Sequence, residues 1–212
     1  EKALYCAGEL DLFKYAPNRG EPIRTNFLHR LMIIYMEDVE NMSLFNDIDL
    51  VGLTYKNGFI YGASWNTGKI IKYDIANNTK SDVVTLPFYP NGLSFNSAGD
   101  LLIADYSNRK LWKYAPGTST GGALTYLNVN FSRQPMHLAF DTQDNVYVSQ
   151  SSSPIRKYTP DFSSYTEVSD PTTVYGMDLS STGVLSYGNY SNGNVYTLQG
   201  GGANISGTPA IG

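Results

Sequence analysis

The sequence predicts an all-β protein, a β-propeller of about five four-stranded blades built by the whole chain, residues 1–212. Three observations support this: the composition favours strands, one short signature recurs five times, and turn-forming residues separate the apolar segments. A unit of roughly forty residues that repeats in this way is typical of a blade, because blades bury their faces against copies of themselves. We place the blades at about 1–50, 51–90, 91–134, 135–174 and 175–212.

The composition favours strands and turns over helices. Hydrophobic residues make up 42% and charged residues only 16%, while Tyr (17) and Gly (20) are abundant. Aromatic side chains pack well on pleated sheets, and Gly serves tight turns. The net charge of −4 and the pI near 5.1 argue against nucleic-acid binding. The chain has no apolar run long enough for a membrane span, and its single Cys6 excludes an intrachain disulfide.

The recurring signature is an apolar residue followed, two positions later, by Lys and then Tyr. Its copies are Leu12–Tyr15, Ile70–Tyr73, Leu111–Tyr114, Ile155–Tyr158 and a degenerate Val195–Leu198. Two further apolar segments precede it in each complete copy, for example Gly52–Tyr55 and Ile60–Ala63, with Lys56-Asn57-Gly58 as the turn between them. Each copy therefore predicts successive antiparallel strands joined by short turns.

Two irregularities concern the first blade. An insertion lies within it, and the apolar residues of 25–43 fall near helical spacing, which predicts a short helix; the same segment is also compatible with an outer strand, Met32–Met36. The chain enters at a second strand, so the first blade is expected to lack its innermost strand. Pro209–Gly212, residues outside this chain, or a neighbouring chain in a homo-oligomer would then fill that position.

The third and fourth copies resemble a known superfamily. Tyr89–Phe95 with Gly99–Leu111, and again Gln134–Asp141 with Asp144–Val148, are similar to the blades of NHL-repeat proteins and of the gluconolactonase, senescence-marker and luciferin-regenerating group. The resemblance implies a propeller. It also implies, for the lactonases, a calcium-type site of oxygen ligands that precede the Gly-apolar element of several blades.

The positions that would hold this metal are Val51, Asn91, Met136 and Tyr175. Only Asn91 carries a suitable oxygen, so it is a weak metal candidate, and a structural role in a turn is the alternative. We therefore expect no cofactor, with calcium as the less favoured reading, and we assign no catalytic residue. His29 and His137 lie in different segments without acidic or Cys neighbours at ligand spacing, which argues against zinc.

A binding site is predicted at the turns between second and third strands. These turns carry an aromatic residue at matching positions: Trp65, Tyr106 and Tyr190. Polar residues accompany them: Asn66, Asp105, Asn108 and Arg109. Exposed aromatic rings beside amides and charged groups suit sugars, whose apolar faces stack while their hydroxyls form hydrogen bonds. The alternative is that each ring only packs on the next blade.

Five sequons are candidate glycosylation sites: Asn41, Asn77, Asn130, Asn189 and Asn204. Together with the low charge they favour an extracellular or cell-surface location. The sequence thus favours a non-enzymatic extracellular propeller that binds a protein or glycan through one face. The alternatives are a structural subunit completed by a neighbouring chain, and a lactonase-like hydrolase with a degenerate metal site.

Overall fold

The computed structural model is an all-β fold, with eighteen strands in the residues that it describes. It describes residues 50–116, 122–169, 171–180 and 182–198 in full, and three earlier segments by their backbone alone. Those segments are the strands β1 (Lys2–Ala7), β2 (Leu12–Tyr15) and β3 (His29–Tyr35). The described part of the chain contains no helix, and hence none able to cross a membrane.

Four antiparallel sheets follow one another along the fully described residues, and we call them blades A to D. Their strands are, for blade A, β4 (Leu50–Lys56), β5 (Phe59–Ser64), β6 (Lys69–Asp74) and β7 (Thr79–Thr85); for blade B, β8 (Pro90–Phe95), β9 (Leu101–Asp105), β10 (Lys110–Ala115) and β11 (Ala123–Asn130); for blade C, β12 (Pro135–Phe140), β13 (Val146–Gln150), β14 (Ser153–Tyr158) and β15 (Tyr165–Glu167); and for blade D, β16 (Met177–Leu179), β17 (Leu185–Gly188) and β18 (Val195–Leu198). Within each blade the strands lie in sequence order.

Burial falls from the inner strands to the outer strands. Every residue of β9 and β13 is buried, whereas most of β7 and all of β15 are exposed. Strands that are buried on both faces have continuous apolar sequences, which explains why apolar and polar residues do not alternate in these segments. The core therefore lies between blades, and a fully buried Leu or Ile there contributes about 1.5–3 kcal/mol.

Each seam between neighbouring blades has its own apolar cluster. Leu93 and Ile103 of blade B pack with Ile70 of blade A, and Leu102 of blade B packs with Val148 of blade C. Tyr147 and Ala139 of blade C pack with residues of blade D such as Leu185. The inner strands β4, β8, β12 and β16 are neighbours in that order, which is the radial arrangement of a propeller.

The inner strands approach one another closely where they begin. A Cβ at Gly92 would lie 2.7 Å from the Cα of His137 and 2.7 Å from the carbonyl oxygen of Met136. Since both contacts are backbone, no side-chain movement could relieve them. Gly92 is therefore a packing requirement between blades B and C.

The two ends of the strands define two faces. Inner strands begin, and second strands end, at the upper face: Pro90 pairs with Asp105, and Pro135 with Gln150. The turns between first and second strands, such as Asn57-Gly58, lie at the lower face. Asn57 has φ 50° and Gly58 φ 85°, which fits a tight hairpin with two left-handed positions.

The N-terminal region corrects three predictions. Residues 29–35 form β3, so the predicted helix over 25–43 is wrong at that position. The structure shows four blades and not five, because the N-terminal sheet has three strands in the order β2-β1-β3, which differs from the order of a blade. We expected the first blade to lack its innermost strand, but β3 pairs with β1 on that side and lies beside both β4 and β16. The candidate substitute, Pro209–Gly212, lies outside the described residues.

Candidate functional site

Three aromatic side chains meet on the upper face at the seam between blades A and B. The rings of Trp65 and Tyr89 are stacked, with centroids 5.4 Å apart and planes 15° apart. Tyr106 meets Trp65 edge to face, with centroids 4.6 Å apart. Tyr89 is 51% exposed, while Trp65 and Tyr106 are half-buried. We call these three residues the aromatic cluster.

Backbone hydrogen bonds fix the cluster in place. Tyr106 follows β9 and Tyr89 precedes β8, and these two strands are paired. The Tyr106 N–H donates to the Tyr89 carbonyl at 3.1 Å, and the Tyr89 N–H donates to Ser107 Oγ at 3.2 Å. The turn after the second strand is thereby tied to the segment that leads into the first strand. These two hydrogen bonds hold the segments that carry Tyr89 and Tyr106 together.

The third predicted aromatic, Tyr190, lies apart from the cluster in blade D. It is 55% exposed, and its ring meets that of Tyr175 edge to face at 5.2 Å. The Tyr190 N–H donates to the Thr173 carbonyl, the bond that Tyr106 makes to Tyr89 in blade B. The matching positions therefore share one face, but only Trp65 and Tyr106 of the predicted three are in contact.

Two of the predicted polar residues serve the turn itself. Asp105 is fully buried, and its carboxylate accepts hydrogen bonds from Ser107 Oγ, the Asn108 N–H and side chain, and Trp112 Nε1. A buried carboxylate with this many donors is a structural anchor. Asn108 is exposed, but its amide nitrogen is directed at Asp105.

The other two predicted polar residues reach solvent. Asn66 is exposed directly after Trp65. Arg109 is exposed in a left-handed conformation (φ 57°), and its Nη1 donates to the Ser132 carbonyl at 3.3 Å, which directs it toward blade C. Asn66 therefore borders the cluster, and Arg109 borders the neighbouring seam.

Sequence reasoning missed Tyr89, the most exposed member of the cluster. The prediction rested on the turns after the second strand, whereas Tyr89 lies just before the first strand. Those two positions meet at the upper face because the strands are antiparallel neighbours. The available signal was that Tyr89 stands immediately before the Pro90-Asn91-Gly92 element.

The axial positions do not fit a calcium site. Asn91 is buried and its Nδ2 donates to Met136 Sδ at 3.8 Å, so the only candidate amide faces a thioether. Val51 offers no oxygen, and the ring of Tyr175 packs on Tyr190. Among the fully described residues no group of three His, Cys, Asp or Glu side chains is placed to hold a metal ion. Calcium prefers six to eight oxygen ligands, which these residues do not supply.

His137 occupies the position of the repeated Gly in blade C and is buried. The backbone N–H of His137 donates to Ser149 Oγ at 3.0 Å, and that hydroxyl donates to the Val174 carbonyl of the segment entering blade D. The chain of bonds ties two blades together. These contacts give His137 a structural setting at the seam between blades C and D.

The sequons lie in different settings. Asn77 and Asn130 are exposed, whereas Asn189 is half-buried and its Oδ1 accepts from the Ser191 N–H. The Asn77 amide nitrogen donates to Asp74, and the Asn130 amide oxygen accepts from Tyr126. Asn41 and Asn204 lie outside the described residues.

Solved β-propeller structures share this fold. A gluconolactonase-like protein superposes with a TM-score of 0.65 at 15% identity, over 82% of this chain and 68% of that chain. Virginiamycin B lyase from Staphylococcus aureus superposes with a TM-score of 0.59 at 13% identity, over 82% of this chain and 57% of that chain. A streptogramin B lyase superposes with a TM-score of 0.58 at 17% identity, over 72% of this chain and 52% of that chain.

These matches confirm the predicted resemblance to gluconolactonase-like propellers at the level of the fold. The identities are far too low to carry an activity across. The matched region spans little more than half of either lyase. No protein-family model matches the chain, and no curated protein matches it in sequence.

Proposed function

We propose that the protein is a non-enzymatic propeller that binds a glycan, free or carried by a partner protein, through the aromatic cluster. The observation that supports this is the stacked pair of Trp65 and Tyr89 on the upper face, with Tyr89 half open to solvent. Contiguous exposed apolar patches often mark interaction sites, and the three rings of the cluster are in contact with one another at the surface.

The geometry of the pair suits a sugar. One face of Tyr89 rests on Trp65, so the ring is held still and its other face is open to stack on the apolar face of a pyranose. Asn66, which is exposed directly after Trp65, carries a side-chain amide that can form hydrogen bonds with sugar hydroxyls. Little side-chain entropy is lost on binding, because the rings are already ordered by their contacts.

A glycan array tests this proposal with a matched pair of variants. Tyr89→Ala removes the open ring, while Tyr55→Ala removes a Tyr that is 52% exposed at the other end of an inner strand. We expect the wild type and Tyr55→Ala to bind the same glycans, and Tyr89→Ala to lose at least tenfold in affinity. A wild type that binds no glycan, or a Tyr89→Ala variant that binds unchanged, contradicts the proposal.

We also propose that the protein acts outside the cell or at its surface, as a glycoprotein. The low charge and the exposed Asn77 and Asn130 sequons support this. Protein purified from a secreting eukaryotic host should lose mass on treatment with an N-glycosidase. An unmodified chain from such a host contradicts the proposal.

We propose that the N-terminal sheet closes the ring between blades D and A. Its support is the position of β3, which pairs with β1 on the inner side and lies beside both β4 and β16. The chain then closes without a neighbouring chain, which weighs against the structural-subunit alternative. Sedimentation should give a monomer, and deletion of 29–35 should abolish cooperative unfolding; a stable oligomer with a fully folded deletion variant contradicts this arrangement.

A lactonase-like hydrolase with a degenerate metal site is the second candidate, supported by the fold shared with a gluconolactonase-like protein. The axial residues weigh against it, because Asn91 is engaged with Met136. Calcium-dependent hydrolysis of a sugar lactone, lost in Asn91→Ala and retained in Tyr89→Ala, would establish this candidate in place of the first.

A further inference from the structure

A cleft of about 180 Å³ opens at the seam between blades A and B, toward the lower face and away from the aromatic cluster. Two rows of side chains face each other across it, each row formed by residues paired in register on neighbouring strands. The rows are Tyr61, Lys72 and Ser81 of blade A, and Phe95, Leu101 and Tyr114 of blade B. One wall is polar and the other is apolar.

Contacts between the blades close both ends of the cleft. Tyr61 and Phe95 meet edge to face at 4.8 Å at the inner end, and Tyr114 Oη donates to the Val83 carbonyl at 3.4 Å at the outer end. Between these contacts Leu101 forms the floor opposite Lys72. The cleft is therefore a bounded slot with aromatic ends.

Lys72 differs from its counterparts in the repeated Lys-Tyr signature. Lys113 pairs with Asp100 at 3.3 Å, and Lys157 pairs with Asp141 at 3.0 Å, each carboxylate coming from the turn between first and second strands. The corresponding turn of blade A is Asn57-Gly58, which has no acid. Among the described residues no carboxylate lies within ion-pair distance of Lys72, whose Nζ stands 4.7 Å from the centre of the Phe59 ring.

The acids nearest the cleft are already engaged. Asp82 lies on its rim but forms an ion pair with Lys69 at 2.5 Å. Asp74, two residues beyond Lys72, accepts from the Ala76 and Asn77 N–H groups and from the Asn77 side chain. Hydrogen bonds with Asn77 and, to a smaller extent, the nearby charge of Lys72 lower the pKa of Asp74, but the two side chains form no ion pair. Of the two charged side chains that line the cleft, Asp82 is paired with Lys69, and Lys72 has no ion-pair partner among the described residues.

The equivalent seam between blades B and C is filled. Its rows are Leu102, Lys113 and Thr125 facing Phe140, Val146 and Tyr158. Leu102, Val146 and Tyr158 belong to one apolar cluster, and Phe140 packs against it. The seam between blades A and B, where the cleft lies, differs from this one in two ways. Tyr61 occupies the position of Leu102 in blade B, and Lys72 has no carboxylate from the preceding turn as an ion-pair partner.

We propose that the cleft between blades A and B binds a small organic anion, a carboxylate carried on an apolar ring about the size of benzoate. The carboxylate would pair with Lys72 and accept from Ser81 Oγ, while the ring packs against Leu101 and the aromatic end walls. The size agrees, because an apolar cavity of about 150 Å³ accommodates benzene. Burial raises the pKa of Tyr61, so its hydroxyl stays protonated and available as a further donor.

Titration with benzoate and with the neutral benzyl alcohol, followed by saturation-transfer NMR, tests the proposal on the wild type alone. We expect saturable benzoate binding with a Kd of about 1 mM, and benzyl alcohol at least tenfold weaker. Absent benzoate binding, or benzyl alcohol binding as tightly, overturns it.

Variants locate the site. Lys72→Met should lower the affinity for benzoate at least tenfold, and Lys72→Arg should keep the affinity within threefold of the wild type. Lys113→Met, which removes the paired lysine of the next blade, should keep the affinity within twofold. Tyr89→Ala should leave it unchanged, which separates this cleft from the aromatic cluster. Equal losses in Lys72→Met and Lys113→Met, or a loss in Tyr89→Ala, place the anion elsewhere and overturn the proposal.

Discussion

The ring of Tyr89 covers the ring of Trp65 in a parallel stack, with centroids 5.4 Å apart. The two residues come from different blades, so the stack also spans a seam. Tyr106 also contacts Trp65, edge to face, with ring centroids 4.6 Å apart. The most exposed ring of the cluster is thus supported by a Trp whose position two blades determine.

Removing Tyr89 should uncover Trp65. In Tyr89→Ala we expect a red-shifted tryptophan emission and stronger quenching by acrylamide, because one face of the indole then meets water. Trp112, the other Trp of the chain, is stacked on Phe88 at 5.5 Å and should contribute an unchanged background. Tyr55→Ala is the control, and emission that is identical in Tyr89→Ala and the wild type would show that the stack does not form in solution.

Removal of the Asp105 carboxylate should lower the stability of the fold more than it lowers ligand affinity. Asp105→Ala leaves Trp112 Nε1 and the donors of the turn without their buried acceptor, and we expect a loss of about 2–4 kcal/mol in the free energy of unfolding. Asp82→Ala breaks an exposed ion pair and should cost under about 1 kcal/mol. Urea unfolding measures both, and equal small losses would contradict the structural role of Asp105.

Gly92 should not tolerate a side chain. Gly92→Ala places a Cβ 2.7 Å from backbone atoms of Met136 and His137, and we expect a loss of at least about 2 kcal/mol as blades B and C are forced apart. Gly183→Ala is the matched control, since it has φ 79° but nothing within 4 Å, and should cost about 1 kcal/mol from backbone strain alone. Thermal unfolding should rank the two variants in that order; the reverse order argues against close packing of the inner strands.

The ion pair of Asp141 and Lys157 should make stability depend on pH in two ranges. Burial alone would raise the pKa of Asp141, but hydrogen bonds from Asn145 and Lys157 outweigh it and hold the pKa below its ordinary 3.8. Burial alone would lower the pKa of Lys157, but hydrogen bonds with Tyr147 and Asp141 outweigh it and raise the pKa above 10.5.

The contribution of the pair is therefore present between those two ordinary values. It is lost as the pH falls through the lowered pKa of Asp141, and again as the pH rises through the raised pKa of Lys157. Asp141→Asn should be less stable than the wild type at pH 7 by about 1–2 kcal/mol, and the gap should narrow toward pH 2. A gap that stays constant with pH would contradict this assignment, and Asp82→Asn serves as the exposed control.

The periodic part of the fold could be predicted from the sequence, and the N-terminal part could not. Blades A to C repeat the same three apolar segments at matching distances along the chain. This repetition predicts the order of the strands within each blade. The position of β3 depends on a contact with β16, far along the chain, which no local pattern encodes. The spacing of the apolar residues near 32–36 is compatible with both a helix and a strand. In the structure this segment forms a strand because it pairs with β1.

The same distinction explains the site. Trp65 and Tyr106 could be found because they occupy matching positions in successive copies. Tyr89 has no aromatic counterpart before β12, where Gln134 stands, so comparison between copies does not reveal it. The residue types of Asp105 and Asn108 predicted a ligand-binding role. Only the hydrogen bond between their side chains shows that they stabilise the turn.

The indole N–H signals in a nitrogen–proton correlation spectrum test the binding proposal most directly, because the chain has two Trp residues. The probes are tetrasaccharides of β-linked glucose, N-acetylglucosamine and mannose, with Trp65→Phe used to assign the two signals. We predict that at least one probe shifts the Trp65 signal in a saturable way while the Trp112 signal stays in place. A Trp65 signal that none of the three moves, or equal shifts of both signals, would contradict a glycan site at the aromatic cluster.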